Sequence, residues 1–155
     1  MNAAHVHLML NHFPVIGTIF ALLLLLIGLA ARSEVLRNAA LAAFALVALI
    51  TLPVYFTGES AEKLVENLPG VTKAAIERHA DAALVSLVAV EVLGALAAAA
   101  LVLFQQAPGA ASRLLVVSLV LSVFTGVWLV WTANLGGQIR HTEIRSVTPA
   151  SPNVN

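Results

Sequence analysis

Four long apolar runs, residues 14–31, 38–56, 80–104 and 114–135, are separated by short polar breaks. Each is close to or beyond the roughly 20 apolar residues with which an α-helix crosses a hydrocarbon core. The pattern predicts an all-α fold: a bundle of four transmembrane helices forming one domain over residues 1–145. If the N-terminus lies on side A, the turns at 32–37 and 105–113 fall on side B, and residues 57–79 return to side A with everything after 135. The first run has no basic residue ahead of it and exceeds the ~7–15 residues of a signal-peptide core, so it reads as a retained span.

Local signals refine these boundaries. Pro14 suits a first helical turn, where its missing amide hydrogen costs nothing, and it biases Phe13 away from helical angles. Pro53 lies inside the second span, removes one helical hydrogen bond and is expected to kink it near side A. Ala61, Leu64, Val65 and Leu68 recur at helical spacing among Glu59, Glu62, Lys63 and Glu66, which predicts a short amphipathic helix on the membrane surface, ended by Pro69-Gly70. Thr72 is placed to cap a new helix running unbroken into the third span, with His79 about two turns inside it at ~3.6 residues per turn. Gly136-Gly137 after the fourth span favours a break or a close approach to another element. Residues 146–155 read as a disordered tail. No repeat is evident, although the two halves have the form of related helix hairpins. Gly28, Gly94, Ala95, the alanines at 97–100 and Gly126 favour close helix packing over a wide pore.

Composition agrees with the pattern and narrows the chemistry. Hydrophobic residues make up 60% and charged residues 10%, with a mean hydropathy of +0.95, against the ~45–50% apolar content of soluble domains. Eight basic and eight acidic residues leave no net charge, and nothing points to a nucleic-acid partner. Cysteine is absent, so a metal site must use nitrogen or oxygen ligands. Orientation signals are divided: side A carries more basic residues, yet Arg32 and Arg37 closely follow the first span, which often dominates. The second argument puts side B in the cytoplasm and side A in the periplasm of a bacterial inner membrane. Phe13, Tyr55, Phe56, Trp128 and Trp131 lie towards side A, as an interfacial belt would or as the lining of a flat cofactor would.

All five histidines, His5, His7, His12, His79 and His141, fall on side A. Imidazole is a good ligand for haem iron, copper and zinc when a second hydrogen bond fixes its orientation. In an up-down bundle the first and third helices are diagonal, so His12 and His79 are expected to face each other as axial ligands of a haem, with His7 and His141 as further ligands or support. His5 lies near the terminus and is read as solvated. Arg78 and Arg140 adjoin two of these histidines and suit haem propionates, lipid phosphate, or the nearby Glu77 and Glu143. Glu91 is near the bilayer centre, where an ionised carboxylate costs ~2.5–3.5 kcal/mol or more. It is expected to be neutral, proton-exchanging or hydrogen-bonded, a possible proton or quinone site turned away from His79.

The strings His7-Leu-Met-Leu-Asn-His12-Phe-Pro and Gly136-Gly-Gln-Ile-Arg140-His141 resemble those of a family of small bacterial four-span membrane proteins of unknown function. The resemblance covers nearly the whole chain and carries over His7, His12, His79 and His141, leaving His5 out. That family is similar in layout to di-haem cytochrome b membrane proteins, which implies haem b and electron transfer. Familiar di-haem bundles place histidines at both faces, whereas here all lie on side A, so one haem or one metal centre is expected. Three functions compete: a haem-b electron-transfer subunit working with quinol, a cytochrome or a larger membrane complex; a copper or zinc protein using three or four of the histidines; and a structural subunit of a membrane complex.

Overall fold

The computed structural model describes residues 2–141 and residue 144. Among them lie α1 (Ala3–Leu10), α2 (Phe13–Ala30), α3 (Glu34–Val65), α4 (Lys73–Leu103) and α5 (Pro108–Arg140), and no strand. α1 and α2 form one interrupted rod, so the described residues form four rods long enough and apolar enough to cross a membrane. The 146–155 tail lies outside the described residues.

Each boundary has a local cause. Asn2 accepts the His5 amide at 2.9 Å and starts α1. Pro14 cannot donate to the Leu10 carbonyl, and the helix is interrupted at Asn11-His12. Both of those residues nonetheless keep right-handed helical angles, and Phe13 opens α2 rather than leaving the helical region. Ser33 and Thr72 each cap a helix through the side-chain oxygen, as anticipated for Thr72. α2 ends with Arg32 at φ 51°, while the Ser33 amide reaches back to the Gly28 carbonyl at 2.9 Å and the Arg32 amide to Leu29 at 3.2 Å.

The separate surface helix expected beyond the second span is instead the last turns of α3. Continuity past Phe56 has visible support: Thr57 donates to the Pro53 carbonyl at 2.7 Å, Lys63 pairs with Glu59 at 2.7 Å, and α1 packs alongside. α4 runs unbroken through His79, as the Thr72 cap implied. α5 does not break at its paired glycines but continues to Arg140.

The rods pack in the order α2, α3, α4, α5, with α5 returning to touch α2 and α1 lying against α3. Towards the B end the core is Leu25, Leu41, Phe44 and Leu93 among alanines; towards the A end it is Val47, Ala48, Val90 and Leu129. Gly94 lets α4 approach α3, since a Cβ there would collide with that of Ala48. Polarity is inverted relative to a water-soluble bundle: Thr18, Ser118, Ser122 and Thr125 are fully buried, whereas Val120 and Val127 are 68% and 69% exposed. That distribution is consistent with lipid around the bundle.

Candidate functional site

Two histidines towards the A end are each held in the same way. His7 of α1 places Nδ1 2.8 Å from the Val54 carbonyl of α3, with the Thr57 hydroxyl 3.5 Å away. His79 of α4 places Nδ1 3.1 Å from the Thr132 carbonyl of α5. A carbonyl oxygen only accepts, so in both rings Nδ1 carries the proton and donates. In the neutral ring this tautomer leaves the Nε2 lone pair available to a ligand.

The correspondence extends one turn further. Four residues beyond Val54 is Gly58, and four beyond Thr132 is Gly136; each lies against the imidazole bonded to the carbonyl before it. A Cβ on Gly136 would sit 2.9 Å from His79 Cε1, and one on Gly58 would sit 3.5 Å from His7 Cε1. The close approach anticipated for the paired glycines is therefore made by Gly136 to His79. Each half of the chain thus straps one histidine, from its first rod, to a carbonyl followed by glycine on its second.

Around His79 the strap is braced from below. The Thr132 hydroxyl meets the Ser86 hydroxyl at 2.9 Å, Ser86 donates to the Ala82 carbonyl at 2.9 Å, and the Trp128 indole donates to the same carbonyl at 3.1 Å. These bonds fix α4 against α5 where His79 attaches. Trp131 stacks edge-on against Trp128 at 4.8 Å and faces outward, as do Phe13 and Phe56.

The remaining candidates are placed differently. His12 is exposed at the interruption between α1 and α2, and its ring has no hydrogen-bond partner among the described residues. His5 is exposed on α1, and His141 is exposed at the end of α5. Arg78 is exposed, with Nε 3.4 Å from the Ala74 carbonyl of its own helix, and Arg140 is exposed in the last turn of α5. Glu143, a suggested partner for Arg140, lies outside the described residues. Glu91 keeps Oε1 buried with no hydrogen-bond partner among the described residues, so the inter-helix bond expected for that oxygen is not made. No group of three or more His, Asp, Glu or Cys side chains suited to a metal ion forms among the described residues.

What sequence reading missed is the receiving side of the straps: Val54, Gly58 and Thr132. Their signal is faint, a carbonyl acceptor position followed by glycine four residues later near the A end of each half. The site defines a class, a four-rod apolar bundle whose two halves each present one oriented imidazole at the same end. Comparison of the chain with known protein families, curated proteins and solved structures found no match.

Proposed function

We propose that this protein is an integral membrane, haem-b-binding electron-transfer subunit, in which His7 and His79 would be the imidazoles that hold the haem. The observation that carries the proposal is the pair of Nδ1–carbonyl straps, which orient two imidazoles at the same end of the bundle with Nε2 left out of the strap. A metal-ligating histidine characteristically donates its other ring nitrogen to a carbonyl or carboxylate, which fixes tautomer and orientation. The donor set fits haem in number as well: the porphyrin supplies four nitrogens to its iron, so two protein imidazoles complete it, whereas zinc sites take three or four protein ligands. This argument favours haem over the copper or zinc alternative.

When bound, haem b supplies one-electron exchange between ferric and ferrous iron. The chain's own residues orient the imidazoles through Val54 and Thr132, and Gly58 and Gly136 give the rings room. Arg78 and Arg140 are the cations at this end suited to propionates. His12 and His141 then belong to the surroundings of the site rather than to its axial pair. In this proposal the bundle lies in a bacterial inner membrane with its histidine end towards the periplasm, exchanging electrons with quinol, a cytochrome or a larger membrane complex.

The test is the optical spectrum of detergent-purified protein, oxidised and dithionite-reduced, with metal analysis of the same sample. A Soret band with sharp reduced bands is expected, abolished by His7→Ala or His79→Ala and retained in His12→Ala. A colourless preparation from haem-replete cells would overturn the haem reading. A second reading then takes over from the same hydrogen bonds: the histidines staple α1 to α3 and α4 to α5 in a structural subunit. In that case each alanine variant lowers stability by about 0.5–1.5 kcal/mol, the net worth of a hydrogen bond, and changes nothing else.

A further inference from the structure

The inner face of α5 is a line of hydroxyls. Ser118, Ser122, Thr125 and Thr132 recur at spacings of four, three and seven, the repeat that keeps one face of a helix inward. Ser118, Ser122 and Thr125 are 0% exposed and Thr132 is 7% exposed. At about 1.5 Å per residue the line runs about 21 Å, most of a hydrocarbon core. Leu129 occupies the single turn at which it lacks a hydroxyl.

Thr18 of α2 lies at about the level of that gap. Ile19 and Leu22 line one shallow groove with Val123, Val127 and Val130 of α5. Because the two helices run antiparallel, Thr18 falls at the level of Leu129, and it too is 0% exposed. Thr18, Ser118 and Thr125 each hold a buried hydroxyl oxygen with no hydrogen-bond partner among the described residues, although a bond to a carbonyl of its own helix is the common resort of such a residue. Ser122, by contrast, does bond its own helix, at Leu119.

Three unpartnered hydroxyls in one buried line point to a small polar ligand between them. An unpaired buried hydroxyl costs roughly 1–3 kcal/mol, and buried water is the usual remedy, with two to four polar partners per molecule. We propose that the face of α5 opposite Thr18 holds a file of bound water reaching from Ser118 to the Ser86–Thr132 pair beneath His79. The file gives protons a route from the B half of the bundle to the histidine end. It does not depend on the haem reading.

The chain lacks cysteine, which makes substituted-cysteine accessibility direct. Ser118→Cys, Thr125→Cys and Thr18→Cys are to be exposed to silver ion in bilayers, then denatured and labelled with a maleimide to count unreacted thiols. Ala40→Cys and Leu41→Cys, equally buried on α3, serve as dry controls. Silver is expected to block the three hydroxyl positions at least tenfold faster than the controls; equal rates overturn the proposal. Should a variant fail to fold, water-to-protein magnetisation transfer in solid-state NMR of the unaltered protein decides. Transfer to Thr18 and Thr125 but not to Ala40 supports the file. Transfer equally weak at all three means that the hydroxyls turn back onto their own helices, and the proposal fails.

Discussion

Gly58 and Gly136 occupy corresponding places in the two halves, yet alanine should act oppositely at them. At Gly136 a Cβ would sit 2.9 Å from His79 Cε1, 3.2 Å from Nδ1 and 3.4 Å from Nε2, so it meets the ring along an edge and not at a flexible tip. The imidazole must move, and with it the 3.1 Å bond to the Thr132 carbonyl. Losing that bond costs about 0.5–1.5 kcal/mol, and overpacking a tight site adds about 1–3 kcal/mol. Alanine's helical advantage over glycine returns only about 0.8–1.0 kcal/mol. Gly136→Ala is therefore expected to destabilise by about 1–3 kcal/mol on balance. At Gly58 the nearest atom would be 3.5 Å away, ordinary van der Waals contact, so Gly58→Ala keeps the strap and gains up to about 1 kcal/mol. Reversible unfolding of both variants in the same mixed micelles measures the pair. Stabilisation of both, or an unaltered Gly136→Ala, would refute the placement of His79 against α5.

Three further substitutions probe the frame. Arg32 holds φ 51° at the end of α2, a conformation that costs a side-chain-bearing residue about 1–2 kcal/mol; Arg32→Gly should raise stability by about 1 kcal/mol in the same unfolding assay. Glu91 buries Oε1 without a partner, so Glu91→Met should stabilise by about 1–3 kcal/mol, and a loss of stability would reveal a bond that the fold does not display. Trp128→Phe removes the 3.1 Å bond to the Ala82 carbonyl and should cost about 1 kcal/mol while leaving helix content, read by circular dichroism, unchanged.

The helices were legible in the chain because the signals that make them are local. Apolar length and the short polar breaks locate the rods; Thr72 locates the start of α4, and Pro14 the start of α2. The errors arose where tertiary contact overrules a local signal. Residues 60–65 carry an amphipathic pattern that suits a separate surface helix, but nothing between Phe56 and Ser60 stops a helix already under way. Gly58 is tolerated there because the His7 ring packs on it. Likewise, Gly136-Gly137 allows a break or a close approach, and the sequence does not choose; α5 continues, and Gly136 makes the close approach to the His79 side chain.

The site was legible only in part. Histidines at one end of the bundle follow from counting spans, but what a histidine can do depends on what its second nitrogen meets. That partner lies 47 residues from His7 and 53 from His79 in the chain, and it is a main-chain carbonyl, which every residue possesses. No residue type can announce it. His12 attracts attention because it precedes Phe-Pro at a helix mouth, yet the same proline that marks it interrupts the rod there and leaves its ring exposed. His7 is read from sequence as a further ligand or support rather than a principal one, yet the Asn2 cap makes a helix of residues 3–10, and that helix packs on α3. The two straps test each other for this reason: they use different helices and different neighbours and share no sequence, but arrive at one tautomer and one glycine spacing. A lone buried histidine is commonly just a satisfied polar group; two satisfied identically, at one end of one bundle, pose a single question that the His7→Ala and His79→Ala spectra will decide together.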